Sequence, residues 1–311
     1  MSPAWPLFGH GPAERLFLTA LAQTRLHHAW LIEGPEGIGK SRFAWRLAAY
    51  MLGARGPETA PLDASDTDPV WRACAALSHP DLHAVKREPN DKGRLAQDIS
   101  VDQIRGLTQF FTMKPALGGW RIGLIDAIDE TNRSGANALL KTLEEPPPKS
   151  VLFLINHGRK PLLATIRSRC RVLRLSVLRD EDCQHALLAA GAPREAGRLA
   201  QGRPGRAIRL STQTALAASE AARALLRCMP DIPEKLAMSA LAAACADEAA
   251  LEAFGAELLD WLADRAETHP AAARLWLKQA RLLGEAESLN MDKAQVAAKL
   301  LAGLYEAAQA V

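Results

Sequence analysis

The stretch "HAWLIEGPEGIGKSRFAWRLAAYMLG" (His28–Gly53) decides the fold of the first part of this chain. It opens with a short apolar run that ends in glycine, which predicts a buried strand. The next segment, "GPEGIGKS" (Gly34–Ser41), fits the spacing G-x-x-x-x-G-K-[ST] of a phosphate-binding loop. Apolar residues at helical spacing then lead to a glycine stop at Gly53. A strand, a glycine-rich turn and a helix in this order predict a phosphate cradle.

Each residue of this loop has a physical role. Gly34, Gly37 and Gly39 let the backbone turn its N–H groups toward phosphate oxygens, and the helix N-terminus adds positive partial charge. Lys40 is expected to reach the outer phosphates, and Ser41 is expected to bind Mg²⁺. The alternative is a glycine-rich turn that binds nothing. The strand before the loop and the helix after it favour the phosphate site.

A second buried strand, within "WRIGLIDAIDETN" (Trp120–Asn132), ends in an acidic residue, Asp126. This is a plausible position for the aspartate that holds Mg²⁺ through water. The alternative is an aspartate that caps the next segment. Position 127 is alanine, so there is no carboxylate beside Asp126 to prepare an attacking water. Asp129 and Glu130 are expected on the following helix, facing solvent.

Local signals place the other elements of this region. Ser100 and Gln103 have capping-box spacing and predict the start of a helix. The prolines at 146–148 predict the end of another helix. Residues 54–69, rich in Pro, Asp, Ala and Thr, are expected to form a mobile surface loop. The polar residues 88–98 predict a second exposed loop.

The order of the elements predicts the fold class. Strands alternate with helices up to about residue 175, which indicates an α/β fold with a parallel sheet covered on both faces. The strands then stop, and the remainder is rich in Ala and Leu with helical periodicity. We predict an α/β nucleotide-binding-type domain over 1–175, a small helical domain over 176–211 and an all-helical domain over 212–311.

The composition is typical of a globular protein and gives no sign of a secreted or membrane-spanning one. A chain of 311 residues with 48% hydrophobic residues can bury a substantial core, and its net charge of +3 is too small to indicate nucleic-acid binding by itself. The five cysteines are scattered and odd in number, which favours free thiols in a reducing cytoplasm. The first residues do not resemble a secretory signal, and no uncharged stretch reaches the length of a membrane span.

Two further motifs carry a resemblance to a known family. "ANALLKTLEEPP" (Ala136–Pro147) and "IRSRCRVL" (Ile166–Leu173), together with "HHAWLIEGPEGIGKS" (His27–Ser41), resemble the bacterial DNA polymerase III clamp-loader subunits, a branch of the AAA+ ATPases. The resemblance is specific over roughly the first 210 residues and architectural beyond them. It implies a RecA-like AAA+ domain, a small helical lid and a helical collar that joins five subunits in a ring.

The resemblance implies a role for the motif Ser168, Arg169 and Cys170, which matches the family's Ser-Arg-Cys motif. The arginine of that motif reaches across a subunit interface to the nucleotide of a neighbour, where its forked donors suit phosphate oxygens. The alternative is that Arg169 only pairs with a local carboxylate. The arginines at 167, 169, 171 and 174 are expected on one strand, and some of them could meet DNA phosphates. The DNA contact is less favoured than the contact of Arg169 with a neighbour's nucleotide, because alternate residues of one strand point to opposite faces and cannot all meet the DNA.

The family's two sensor positions can also be located. Asn156 matches the first sensor, a polar residue near the γ-phosphate, and His157 is a neighbouring alternative. The second sensor is an arginine in the hydrolysing subunits, but Gly205 stands at that position here. Arg203 and Arg206 lie beside it in the sequence.

These departures favour the stator type of subunit over the motor type. The hydrolysing subunits carry a glutamate where this chain has Ala127. The resemblance therefore implies inefficient hydrolysis at the chain's own loop, which holds ATP or ADP with Mg²⁺ as a structural plug or is empty. Hydrolysis would occur at the neighbouring subunit, with Arg169 as this chain's contribution.

The implied partners are the gamma/tau and delta subunits of the clamp loader, with the sliding clamp and primed DNA reached through the complex. No membrane partner is implied. Two alternatives stay open. The chain could be an active motor ATPase of the gamma/tau type, or an unrelated P-loop nucleotide-binding protein such as a nucleotide kinase.

Zinc is a last expectation that depends on the resemblance. The family often carries four cysteines between the first helix and the central strands, and this chain has only Cys74 there. His79 and His83 lie nearby, but three ligands without a fourth at standard spacing are a weak zinc signal. Packing and surface histidines are the better interpretation, so we predict no zinc.

Overall fold

The structure is a computed structural model that describes residues 7–23, 25–89, 96, 98–158, 160–193, 197–266, 269–289 and 291–310. The chain divides into two compact units. Unit 1 comprises Met1–Ala190 with Gln201–Gly205, and unit 2 comprises Gly191–Ala200 with Arg206–Val311. Residues 176–211, predicted as a separate domain, are shared between the two units, and the three-domain division stays a prediction.

Unit 1 contains a parallel sheet, as the alternation of strands and helices predicts. The described strands are β1 (Ala29–Glu33), β2 (Leu82–Lys86), β3 (Arg121–Asp126), β4 (Ser150–Asn156) and β5 (Arg171–Arg174). Their order across the sheet is β2-β3-β4-β1-β5, and every pair of neighbours is parallel. The α/β fold class is confirmed.

Seven described helices accompany this sheet, and their ends follow the sequence signals. They are α1 (Gly11–Ala22), α2 (Lys40–Met51), α3 (Pro69–Ala75), α4 (Val101–Thr112), α5 (Arg133–Glu144), α6 (Ala164–Arg167) and α7 (Asp180–Ala189). Ser100 and Gln103 form the predicted capping box at the start of α4. Helix α5 ends just before the prolines at 146–148, as expected from the missing N–H of proline.

Both faces of the sheet are covered by other elements. Successive residues of a strand point to opposite faces, and side chains on each face are buried. On one face, Leu31 of β1 and Leu152 of β4 belong to a core cluster that includes residues of α4 and α5. On the other face, the ring of Phe17 from α1 lies 5.1 Å from that of Trp30 and 5.7 Å from that of Phe153. A strand with both faces covered explains why the apolar runs in the sequence are continuous.

The segment 54–69 was expected to be a mobile surface loop. Half of its residues are exposed and residues 54–68 form neither helix nor strand, so the surface part of this prediction is confirmed, but the segment is anchored at one point. Leu62 and Ala64 are buried, and the buried guanidinium of Arg46 donates to the Leu62 carbonyl oxygen at 2.8 Å and pairs with Asp63. The sequence around Arg46 shows only helical periodicity, so it gave no sign of this anchor. The predicted loop 88–98 lies largely outside the described residues.

The strand register brings the carboxyl ends of three strands together. Glu33 pairs with Asn156 across β1 and β4, while Asp126 pairs with Ile155 across β3 and β4. The carboxyl edge of a parallel sheet is where ligands bind in folds of this kind. The polar residues at the ends of β1, β3 and β4 therefore lie beside the glycine-rich loop that follows β1.

Unit 2 is helical in its described part, where no strand follows β5. Its helices are α8 (Gly197–Ala200), α9 (Pro204–Arg209, which begins in unit 1), α10 (Gln213–Arg227), α11 (Glu234–Ala244), α12 (Glu248–Ala266), α13 (Pro270–Leu289) and α14 (Lys293–Ala310). Alanine and leucine side chains form most of its core. Among the described residues, no helix has the length and apolar character needed to cross a membrane.

The capping box gives the first testable prediction. Ser100 Oγ accepts from the Gln103 N–H at 3.2 Å, and the Ser100 N–H donates to Gln103 Oε1 at 3.0 Å. Ser100→Ala removes the first of these bonds and should lower the free energy of unfolding by about 1 kcal/mol. Urea unfolding followed by circular dichroism measures it. The control is Gln109→Ala, an exposed residue of the same helix, which should leave stability unchanged or slightly raised. Equal stabilities of the two variants would contradict the prediction.

Candidate nucleotide site and arginine turn

The loop between β1 and α2 has a backbone that requires glycine. Gly34, Gly37 and Gly39 have φ angles of 150°, 83° and 96°, a region that side chains rarely adopt. A Cβ atom at Gly34 would lie 2.2 Å from the carbonyl oxygen of Leu175. Gly39 is the N-cap of α2, so the loop ends at a helix N-terminus. The predicted cradle is therefore present as a strand, a left-handed glycine loop and a helix.

Lys40 lies at the start of α2 and is held by its own loop. Its Nζ donates to the carbonyl oxygens of Gly34 at 2.6 Å and Pro35 at 2.8 Å, and the residue is only 2% exposed. These contacts place a buried ammonium group within the glycine loop.

Ser41 and Asp126 meet although 85 residues separate them in sequence. Ser41 Oγ donates to Asp126 Oδ2 at 2.6 Å, and His157 Nε2 lies 3.3 Å from Asp126 Oδ1. Burial raises the pKa of Asp126, but hydrogen bonds from His157 and Ser41 and the charges of His157 and Lys40 outweigh it, so the pKa is lowered overall. Asp126 is therefore an ionised carboxylate at neutral pH.

The donor set fits a magnesium nucleotide. Backbone N–H groups at a helix N-terminus and the Lys40 ammonium suit phosphate oxygens. The Ser41 hydroxyl and the Asp126 carboxylate are hard oxygen ligands of the kind that Mg²⁺ prefers, and they already touch each other. The structure thus brings together the phosphate and magnesium residues that the sequence predicts.

The expectation that Asp129 and Glu130 lie on a solvent-facing helix is wrong. They belong to a short 3-10 turn, Ile128–Glu130, and are only 4% and 7% exposed. Asp129 Oδ1 accepts from the backbone N–H of His157 at 3.0 Å, and Glu130 pairs with Arg87 at 2.7 Å. Both carboxylates thus have structural contacts, and the residue beside Asp126 is the buried Ala127.

Asn156 and His157, the two candidates for the first sensor, both lie at this edge of the sheet. The Asn156 Nδ2 donates to Glu33 Oε1 at 3.3 Å, whereas His157 contacts Asp126. Glu33 also pairs with Arg167. Sequence reasoning missed Glu33, although its place directly before Gly34 was a usable signal. Which of Asn156 and His157 acts as a sensor stays a prediction.

Gly205, at the predicted position of the second sensor, contacts the glycine loop through its backbone. Its N–H donates to the Gly37 carbonyl oxygen at 2.8 Å. A Cβ atom at Gly205 would lie 3.0 Å from that oxygen and 3.1 Å from Gly37 Cα. Of the neighbouring arginines, Arg203 donates to Gln201, and Arg206 interacts with Glu252 and the Leu199 carbonyl. The position is therefore built for a glycine.

Arg169 lies in the turn between α6 and β5, so the expectation that it shares a strand with its neighbouring arginines is wrong: β5 begins only at Arg171. Its guanidinium pairs with Glu144 at 2.8 Å and donates to the Thr165 carbonyl oxygen at 2.9 Å. The local ion pair considered as an alternative is thus present. Arg169 is nevertheless 35% exposed.

The candidate zinc residues have other contacts. Cys74 is buried, which raises the pKa of its thiol to about 12, and His79 Nδ1 accepts from the backbone N–H of Asp81 at 3.2 Å. The ring of His83 packs against that of Phe110 at 5.5 Å. In the described part of the chain, no group of three or more His, Cys, Asp or Glu residues could hold a metal ion. The absence of zinc stays a prediction.

The parallel sheet, the left-handed glycine loop and the Ser41–Asp126 contact define the fold of a P-loop protein. The sequence model of the family described as "DNA polymerase III, delta subunit" matches residues 9–179. The chain belongs to this family.

Curated relatives agree with this assignment. The chain is 40% identical over 143 residues to the DNA polymerase III subunit delta' of Pseudomonas aeruginosa, covering 46% of this chain and 41% of that protein. It is 32% identical over 200 residues to the Escherichia coli subunit delta', covering 60% and 55%. The chain spans about half the length of the curated relatives it matches.

A solved structure of a DNA polymerase III gamma subunit-related protein from Thermotoga maritima superposes with a TM-score of 0.46 at 16% identity. The superposition covers 94% of this chain and 98% of that one. A likeness of this size adds nothing to the family assignment.

The close approach of Gly205 to Gly37 gives the second prediction. Gly205→Arg, which installs the side chain of the family's second sensor, forces a Cβ atom against the loop backbone. It should lower the free energy of unfolding by about 1–3 kcal/mol, as overpacking does. Urea unfolding of wild type and variant measures it.

Gly119→Arg is the matched control, because a Cβ atom at Gly119 would meet nothing within 4 Å and Gly119 is exposed. It should change stability by less than about 0.5 kcal/mol. If Gly205→Arg were as stable as Gly119→Arg, the close approach of Gly205 to the loop would be disproved.

Proposed function

We propose that this chain is a stator-type subunit of a bacterial clamp loader, working in the cytoplasm with gamma/tau and delta subunits to place a sliding clamp on primed DNA. The family match and the relatives named subunit delta' support this role. Relatives named subunit gamma and subunit tau also match, at 29% and 32% identity, which supports a place in the same group of proteins.

The observation that carries the proposal is a complete phosphate loop without an acid beside Asp126. Position 127 is a buried alanine, and the nearby carboxylates of Asp129 and Glu130 have structural contacts. A water that attacks a phosphate needs a residue that orients it or accepts its proton. This supports a site that binds without efficient turnover.

The loop of this chain would hold ATP or ADP through Gly34, Gly37, Gly39 and Lys40, with Asn156 near the outer phosphate. Ser41 and Asp126 would hold Mg²⁺, which neutralises phosphate charge when bound. In a subunit of the stator type, this nucleotide stabilises the fold around the loop. The lowered pKa of Asp126 supports the assignment, because an ionised carboxylate is the form that binds a cation.

Arg169 would act on the nucleotide of a neighbouring ATPase subunit, with Ser168 and Cys170 forming the turn that presents it. A guanidinium is always charged and suits a phosphoryl group that gains charge in the transition state. The partial exposure of Arg169 supports a contact outside its own chain. Its ion pair with Glu144 involves one terminal nitrogen, Nη2, and leaves other donors of the guanidinium for such a contact.

The third prediction tests this role. The protein alone should show no ATP turnover. The assembled complex with clamp and primed DNA should hydrolyse ATP, and Arg169→Ala should lower the rate at the neighbouring site by about three orders of magnitude, as loss of a trans arginine does. Single-turnover hydrolysis by the assembled complex, compared between wild type and variant, measures the loss.

Arg105→Ala is the control, since Arg105 is an exposed arginine of the same unit that also pairs with one carboxylate, Asp102, at 3.1 Å. It should leave the rate unchanged. An unchanged rate with Arg169→Ala would refute the trans contact. Robust turnover by the protein alone, abolished by Lys40→Ala, would instead favour the second candidate function, an active motor ATPase.

A further inference from the structure

The backbone that carries Arg169 is fixed. Ile166 of α6 is fully buried, and Cys170 packs against the core cluster of unit 1. Between these two anchors, the Arg169 N–H donates to the Ile166 carbonyl oxygen at 3.1 Å. The Cα atom of Arg169 is thus held in place, while its side chain keeps several rotatable bonds.

Glu144 is brought to this turn by a different element. It is the last residue of α5, and the preceding Leu143 is buried in the same core cluster. A carboxylate at a helix C-terminus lies in the negative field of the helix dipole and is disfavoured there unless a cation is nearby. The Arg169 guanidinium, 2.8 Å away, supplies that cation.

The contacts of Arg169 hold the guanidinium without using all of its donors. One terminal nitrogen, Nη2, pairs with Glu144, while Nη1 donates to the Thr165 carbonyl oxygen and lies 3.4 Å from Ser168 Oγ. These contacts engage at most three of the five N–H groups of a guanidinium. The remaining donors suit phosphate oxygens, which arginine binds in pairs.

We propose that Glu144 is a positioning residue for Arg169: it fixes the guanidinium in one orientation, so that the group meets a phosphate of the neighbouring subunit without first being ordered. This inference depends on the proposed trans contact of Arg169. An exposed ion pair stabilises a fold little, since both long side chains must be ordered to form it. A side chain that is ordered before binding, however, loses less conformational entropy in the reaction step that uses it, so the barrier of that step is lower.

The fourth prediction is a graded effect on catalysis. In the assembled complex, Glu144→Ala should lower the single-turnover rate constant at the neighbouring site by about tenfold, because small misplacements of a catalytic group are costly. Glu144→Gln keeps an oxygen that accepts a hydrogen bond from Arg169, and should lose only about threefold. The ATP concentration for half-maximal rate should not change, because Arg169 acts on the transition state.

Glu145→Ala is the matched control. Glu145 is the next residue, is also exposed and lies in the same Leu-Glu-Glu-Pro segment. It should leave the rate constant unchanged. Assembly of each variant into the complex, followed by size-exclusion chromatography, separates a loss of positioning from a loss of assembly.

The double variant Arg169→Ala/Glu144→Ala gives the decisive comparison. If Glu144 acts only through Arg169, the double variant should be as slow as Arg169→Ala alone. A further loss in the double variant, or a wild-type rate for Glu144→Ala while Arg169→Ala is slow, would overturn the positioning role. A wild-type rate for Arg169→Ala would instead overturn the proposed trans contact itself.

Discussion

The close approach of Gly34 to the carbonyl oxygen of Leu175 is the constraint on which the site depends. A side chain at position 34 would leave no room for the chain as it continues past β5. The left-handed glycines that follow turn the backbone so that α2 begins at Lys40. Because β1 lies between β4 and β5, this turn opens beside the ends of the neighbouring strands. This packing sets the course of the glycine loop, and with it the positions of Lys40 and Ser41 at the start of α2.

At the same edge of the sheet, an ionised carboxylate touches a hydroxyl, and the residue that follows this carboxylate is an alanine. Ser41 and Asp126 touch, and the environment keeps Asp126 ionised. The acids that follow it are engaged elsewhere because the 3-10 turn after β3 directs them to Arg87 and to the backbone of His157. The glycine loop and the Ser41–Asp126 contact are therefore formed although position 127 offers no carboxylate.

The sequence predicts features that depend on neighbouring residues better than features that depend on distant ones. The glycine loop, the capping box at Ser100 and the end of α5 are coded within a few residues, and all were predicted correctly. The contacts of Arg46 with Leu62 and Asp63 join α2 to the segment 54–69, and the pair of Arg169 with Glu144 joins segments 25 residues apart. No periodicity or motif encodes such contacts, because they depend on how separate elements pack.

The hydrogen bond from Gly205 to Gly37 also limits how the chain can be divided. Residues 201–205 belong to unit 1, although the residues on both sides of them belong to unit 2. The polypeptide therefore passes between the units three times, near residues 190, 200 and 205. A fragment that ends at residue 190 would lack Gly205 and leave the Gly37 carbonyl oxygen without this donor. Each unit is thus built from two separate segments of the chain. Cleavage of the chain at one position cannot give both units with all of their residues.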